Sequence, residues 1–110
     1  MSSLPSGTVT FLFTDIEGST KLAQSLGSKW EKFHGRHHEI LKTVIESNNG
    51  YVFQIVGDAF CASFHTAGDA VRAAAQAQTD FHNEDWDGTP IKIRMGINTG
   101  TAQEIGRAHV

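Results

Sequence analysis

The sequence predicts an α+β domain: a ferredoxin-like split βαβ sheet with helices on one face, in the order β-α-α-β-β-α-β. Three observations carry the prediction. Thr8 to Phe13 is a near-continuous run of β-branched and aromatic residues, as in a central strand buried on both faces. Tyr51 to Val56 and Ala59 to Phe64 are two further strand-like runs separated only by Gly57-Asp58, a strong two-residue hairpin signal. Helical periodicity fills the intervals before and after this hairpin.

The elements follow in order. Met1 to Gly7 reads as a flexible leader. After the first strand, Glu17, Gly18, Ser19 and Thr20 form a turn that opens a short helix, Ser19 to Leu26, ended by Gly27. Ser28 is placed to cap a longer helix. Its apolar positions Trp30, Phe33, His37, Ile40, Leu41, Val44 and Ile45 recur every three or four residues and make one face. Asn48-Asn49-Gly50 is a helix stop, with Gly50 expected in the left-handed conformation. Past the hairpin, Thr66 opens an alanine-rich helix to about Phe81. Its inner face is expected at Ala67, Ala70, Val71, Ala74, Ala77, Gln78 and Phe81. Asn83 to Pro90 reads as a polar loop. Ile91 to Asn98 alternates as a last strand, ended by Thr99-Gly100.

Composition narrows the function. At 110 residues the chain makes about one domain, and 39% hydrophobic with 19% charged residues describes a soluble globular chain. The net charge of -3 with no basic stripe argues against a nucleic-acid surface, though not against a single nucleotide. The lone Cys61 forms no internal disulfide and fits a reducing, cytoplasmic setting. The N-terminus has no signal-peptide pattern, and no apolar run approaches the roughly 20 residues of a membrane-spanning helix.

The chemistry concentrates where the strands end. Asp15 closes the first strand beside a Gly-containing turn and a helix start. A carboxylate there supplies hard oxygen ligands, and the open N–H groups of the helix start face phosphate oxygens. Asp58 sits on the hairpin tip, which the topology brings to the same sheet edge. Two carboxylates held that close repel each other unless a cation lies between them, so a divalent metal site is expected.

FTDIEGST (Phe13 to Thr20), VGDAFCASF (Val56 to Phe64) and RMGINTG (Arg94 to Gly100) resemble, in order and spacing, the three signature blocks of class III adenylate and guanylate cyclase catalytic domains. The resemblance covers Gly7 to about Glu104, so 8–104 is expected to be the N-terminal half of such a domain. It implies that Asp15, Asp58 and the backbone carbonyl of Ile16 bind two Mg²⁺ or Mn²⁺ ions. It further implies that the backbone of Glu17, Gly18, Ser19 and Thr20 receives the triphosphate, with Gly57 and Gln54 also at the substrate. The implied reaction is ATP or GTP to the 3′,5′-cyclic monophosphate and pyrophosphate, in a homodimer with shared active sites. Two departures stand out. Adenylate cyclases of this kind often carry a purine-reading lysine where this chain has Gln54, which has both a donor and an acceptor and leaves ATP versus GTP open. The family's Asn- and Arg-bearing helix is also missing, and EIGRAHV resembles a translated sequencing adapter. Ile105 to Val110 is therefore expected to be a non-native tail, and the 110-residue chain to be inactive alone.

Other readings are weaker on residue grounds. Gly18-Ser19-Thr20-Lys21 lacks the spacing of a phosphate-binding loop, so Lys21 reads as a solvated helix residue. His34, His37 and His38 lack the glutamate of a HExxH zinc motif and read as surface polar residues, with His37 partly buried. Cys61 reads as a small buried hydrophobe. Trp30 and Phe33 read as core, and Glu17 as a helix-start carboxylate as readily as a water-bridged metal contact. A degenerate, non-catalytic cyclase homology module is the competing function, favoured by Gln54. A diguanylate cyclase lacks its GGDEF-like hairpin.

Overall fold

The computed structural model describes residues 7–101. The expectations on the leader before Gly7 and on the tail from Ile105 lie outside the described residues. Seven elements follow in the order β1 (Thr8–Ile16), α1 (Ser19–Leu26), α2 (Lys29–Ser47), β2 (Gly50–Val56), β3 (Ala59–Phe64), α3 (Ala67–Asn83) and β4 (Ile93–Thr101). The strands form one sheet in the order β2-β3-β1-β4, every pair antiparallel. β1 is central because its apolar run has partners on both sides, Phe13 facing Cys61 on β3 and Gly96 on β4.

Residues alternate across a strand, so β1 serves two surfaces. Leu12 and Ile16 join Phe60, Ala62, Phe64 and Ile93 in the core beneath the helices. α2 contributes Phe33, Ile40, Leu41, Val44 and Ile45. Val9, Phe11, Phe13 and Asp15 point to the other surface, where Phe11 meets Phe53 edge-on at 6.0 Å.

Local chemistry corrects several expectations. Ser28 occupies the cap position of α2, yet its backbone is already helical and its side chain caps nothing. The Trp30 N–H turns back to the Gly27 carbonyl at 3.1 Å. The left-handed residue after α2 is Asn49 (φ 65°), not Gly50. Gly50 begins β2, and a Cβ there would meet the Phe64 ring and lie 2.7 Å from Ile45 Cγ2. Close approach, rather than a turn, demands glycine at this point.

Thr66 caps α3 as expected, accepting from the Asp69 N–H at 3.2 Å. The buried face of α3 is Ala70, Ala73, Ala77 and Phe81, while Ala67 and Val71 are exposed. The loop after α3 is less polar than its composition implies. Trp86 is buried, stacks on Phe81 at 5.8 Å, and donates its indole N–H to the Phe81 carbonyl at 2.9 Å. Ile91 is buried in that loop before β4 begins, and β4 runs through Thr99-Gly100 to Thr101.

Candidate active site

The end of β1 and the β2–β3 tip meet. Asp58 Oδ2 accepts the Ile16 N–H at 2.7 Å, which brings the hairpin carboxylate to the residue after Asp15. Gly57 makes the tip possible, since its φ of 61° belongs to the region a two-residue hairpin turn needs and glycine tolerates.

Asp15 is half-buried and held by a residue the sequence reading left unassigned. Arg94, directly opposite on β4, donates Nε–H to Asp15 Oδ1 and Nη2–H to Oδ2, both at 2.8 Å. The bidentate pair raises the guanidinium pKa further, chiefly through the hydrogen bond to Asp15. The signal was legible in principle, because pairing RMGINTG against the end of β1 sets Arg94 against Asp15.

The turn is partly committed. The Glu17 N–H donates to the Lys92 carbonyl at 2.8 Å, so it is engaged within the fold. Gly18 follows in the left-handed conformation (φ 65°, ψ 34°) and caps α1 without a side-chain hydrogen bond. The first intrahelical bond runs from the Leu22 N–H to the Gly18 carbonyl at 3.0 Å. The N–H groups of Ser19, Thr20 and Lys21 therefore precede the helical ladder, as at an anion-receiving helix start.

Gln54 shares a cross-strand row with Cys61, Phe13 and Gly96, on the same surface as Asp15 and two residues along. It reaches that surface because a bulge at Phe53 shifts the register between Val52 and Gln54. A cleft of about 450 Å³ opens beside Asp15, lined by Phe13, Val56, Cys61, Arg94, Met95 and Gly96 among others. Gln54 is exposed and does not line it. Burial pushes the Cys61 thiol up and keeps it neutral, as expected of a packed cysteine.

Behind the hairpin tip stand the histidines of α2. His37 is fully buried, its two ring nitrogens without a partner. Loss of hydration holds its pKa down at about 4; His38 and His34 add repulsion, while Asp58 and a weak contact with the His34 backbone oppose it. His34 and His38 each place Nε2 near the Gly57 carbonyl, at 3.2 and 3.3 Å. The sequence reading of His37 as partly buried is corrected to fully buried, and one ring nitrogen from each of the three histidines lies within 4.8 Å of the others.

Comparison with known proteins bears on the family and the fold. The profile of the adenylate and guanylate cyclase catalytic domain matches residues 1–106. Receptor-type adenylate cyclase B of Leishmania donovani is 33% identical over 78 residues, 71% of this chain and 6% of its own length. An uncharacterised protein of Mycobacterium tuberculosis is 32% identical over 101 residues, 90% of this chain and 33% of its own. A solved adenylate cyclase of Trypanosoma brucei, in its monomeric state, superposes with a TM-score of 0.83 at 25% identity, over 90% of this chain and 59% of that one. The guanylate cyclase domain of RhGC from Catenaria anguillulae, solved in complex with GTP, shares the fold at a TM-score of 0.76 and 20% identity, over 89% and 59%. The chain thus spans a third or less of the length of these two curated relatives and less than two thirds of the solved chains, and it belongs to the adenylate and guanylate cyclase catalytic domain family.

Proposed function

We propose that this chain forms part of a larger cyclase domain that converts ATP, in preference to GTP, to the 3′,5′-cyclic monophosphate with release of pyrophosphate. The ribose 3′-oxygen bonds to the α-phosphorus, the bond from that phosphorus to the α–β bridging oxygen breaks and leaves its electron pair on pyrophosphate, and the hydroxyl proton passes to water. The observation that carries the reading is the Asp58–Ile16 hydrogen bond, which gathers two carboxylates at one sheet end.

The donor set fits two hard divalent cations, Mg²⁺ or Mn²⁺: carboxylates of Asp15 and Asp58 and the carbonyl of Ile16, all oxygen. Bound there, such ions would acidify the 3′-hydroxyl and offset the phosphate charge. The chain's own part is positional. The open N–H groups at the start of α1 receive phosphate oxygens, Gly18 lets the backbone approach them, and Asp58 stays fixed by its bond to Ile16. Gln54 offers a donor and an acceptor to a purine edge across the surface, and the cleft beside Asp15 takes apolar parts of the substrate or of a second subunit. ATP is preferred because the Leishmania relative is named an adenylate cyclase.

The test is cyclic nucleotide formation from ATP and GTP with Mn²⁺ by the complete domain carrying this segment. Product with ATP that falls at least about 10²-fold in Asp58→Ala, with the fold intact, is expected. No product with either nucleotide from a folded dimer would favour the second reading, a non-catalytic homology module. The Arg94 clasp on Asp15 supports that alternative, since it holds both oxygens a metal would need.

A further inference from the structure

We propose that His34, His37 and His38 form a second metal site, for a divalent transition ion of the zinc type, on the far side of the hairpin tip from the phosphate-binding turn. It does not depend on the cyclase reading. The spacing i, i+3, i+4 sets three imidazoles on one helical face over a single turn, and one nitrogen from each lies within 4.8 Å of the others. Held by one ion, the three nitrogens would draw in to the separation that metal–nitrogen bonds of about 2.0–2.1 Å require.

The decisive observation is His37. Its side chain is fully enclosed, packed by Phe60 at 5.5 Å and Phe81 at 5.7 Å, and neither ring nitrogen has a partner. Buried polar groups are almost always satisfied, so an orphan imidazole flanked by two others points to a missing partner that accepts lone pairs. Imidazole nitrogen suits zinc, copper, nickel or cobalt rather than magnesium, which separates this site from the all-oxygen set at Asp15 and Asp58. Three protein nitrogens leave one position of a tetrahedral ion, and the Gly57 carbonyl already stands 3.2 Å from His34 Nε2 and 3.3 Å from His38 Nε2. An ion held there would tie α2 to the hairpin one residue before Asp58.

The test uses the untagged, chelator-stripped 110-residue chain and Co²⁺ as probe, in an Asp15→Asn/Asp58→Asn background that removes the carboxylate site. One-to-one binding with intense visible d–d bands of low-coordinate cobalt is expected, with affinity at least about tenfold weaker in His34→Ala/His38→Ala. Both substituted residues sit at the surface rim, and near-ultraviolet dichroism reports whether the variant is folded. Independently, Zn²⁺ added to the same background protein with its histidines intact should shift the ¹⁵N resonances of exactly those three rings. Featureless cobalt spectra, equal affinity in the double-histidine variant, or unmoved ring resonances would each overturn the site.

Discussion

Gly50 and Arg94 show two opposite demands on a single position. Gly50 lies where the Phe64 ring and Ile45 close over the backbone, so Gly50→Ala overpacks the junction of α2 and β2. A loss of about 1–3 kcal/mol is expected in urea unfolding, with little change in the denaturant slope. Arg94 is the opposite case, an exposed residue whose effect is on the site. Releasing Asp15 by Arg94→Gln should tighten Mn²⁺ binding to the nucleotide-free chain by up to about fivefold, a small effect as befits an exposed pair. Electron paramagnetic resonance of free Mn²⁺ reads this directly, and an unchanged affinity would mean that the clasp opens without cost. Asp15 and Asp58 were legible as residues because each interrupts an apolar pattern. Arg94 was not, because its partnership with Asp15 depends on strand register rather than local sequence.

At the scale of elements, the helices and strands were read from periodicity, and the differences lie at their ends. β1, β3 and α1 end where turn residues stand beside unbroken patterns. β4 was displaced because Ile91 is buried without belonging to the strand, so alternation alone counted it in. The loop from Glu84 hides Trp86 because polar neighbours mask one large apolar side chain. Trp86→Ala should cost about 3–5 kcal/mol, since it removes the stack on Phe81 and the contact with Phe33. By contrast, Glu84→Gln, which breaks the surface pair with Arg36, should cost no more than about 1 kcal/mol. α2 adds a pH dependence in metal-free, chelator-containing buffer. The His37 pKa is about 4 in the fold against 6.5 ordinarily, so the unfolded chain takes up the proton first. Stability present above pH 6.5 is then lost as pH falls toward 4, by up to about 3 kcal/mol, and levels off below. His34, His38 and Asp58 are the charged groups facing that ring. A His37→Phe variant should show a visibly flatter profile from pH 6.5 to 4 in equilibrium unfolding.

For the molecule as a whole, topology was the most legible feature, because a hairpin signal between two helical segments admits few sheets. The pairing that brings Asp15 on β1, the Asp58 turn and Gln54 on β2 together across β3 follows from it. What the sequence did not disclose was how distant segments meet, as in the Arg94 clasp on Asp15 and the backbone hydrogen bond from the Glu17 N–H to the Lys92 carbonyl. Tyr51, Ile55 and Val56 on β2 and Ile97 on β4 remain exposed apolar groups at the two borders of the sheet. If these borders serve the proposed dimer, sedimentation velocity should show association that rises with concentration and weakens in Val56→Asp. The bulge at Phe53 has a consequence for how this border tolerates changes in length. Phe53 has no opposite number on β3, so Val52 still faces Ala62 and Gln54 still faces Cys61 whether or not it is counted. A one-residue deletion there would forfeit the ring contact with Phe11 but leave Gln54, Gly57 and Asp58 in phase with the central strand. A second residue lost from this stretch would exceed what the bulge absorbs, draw the tip back by one step and turn its outward residues inward.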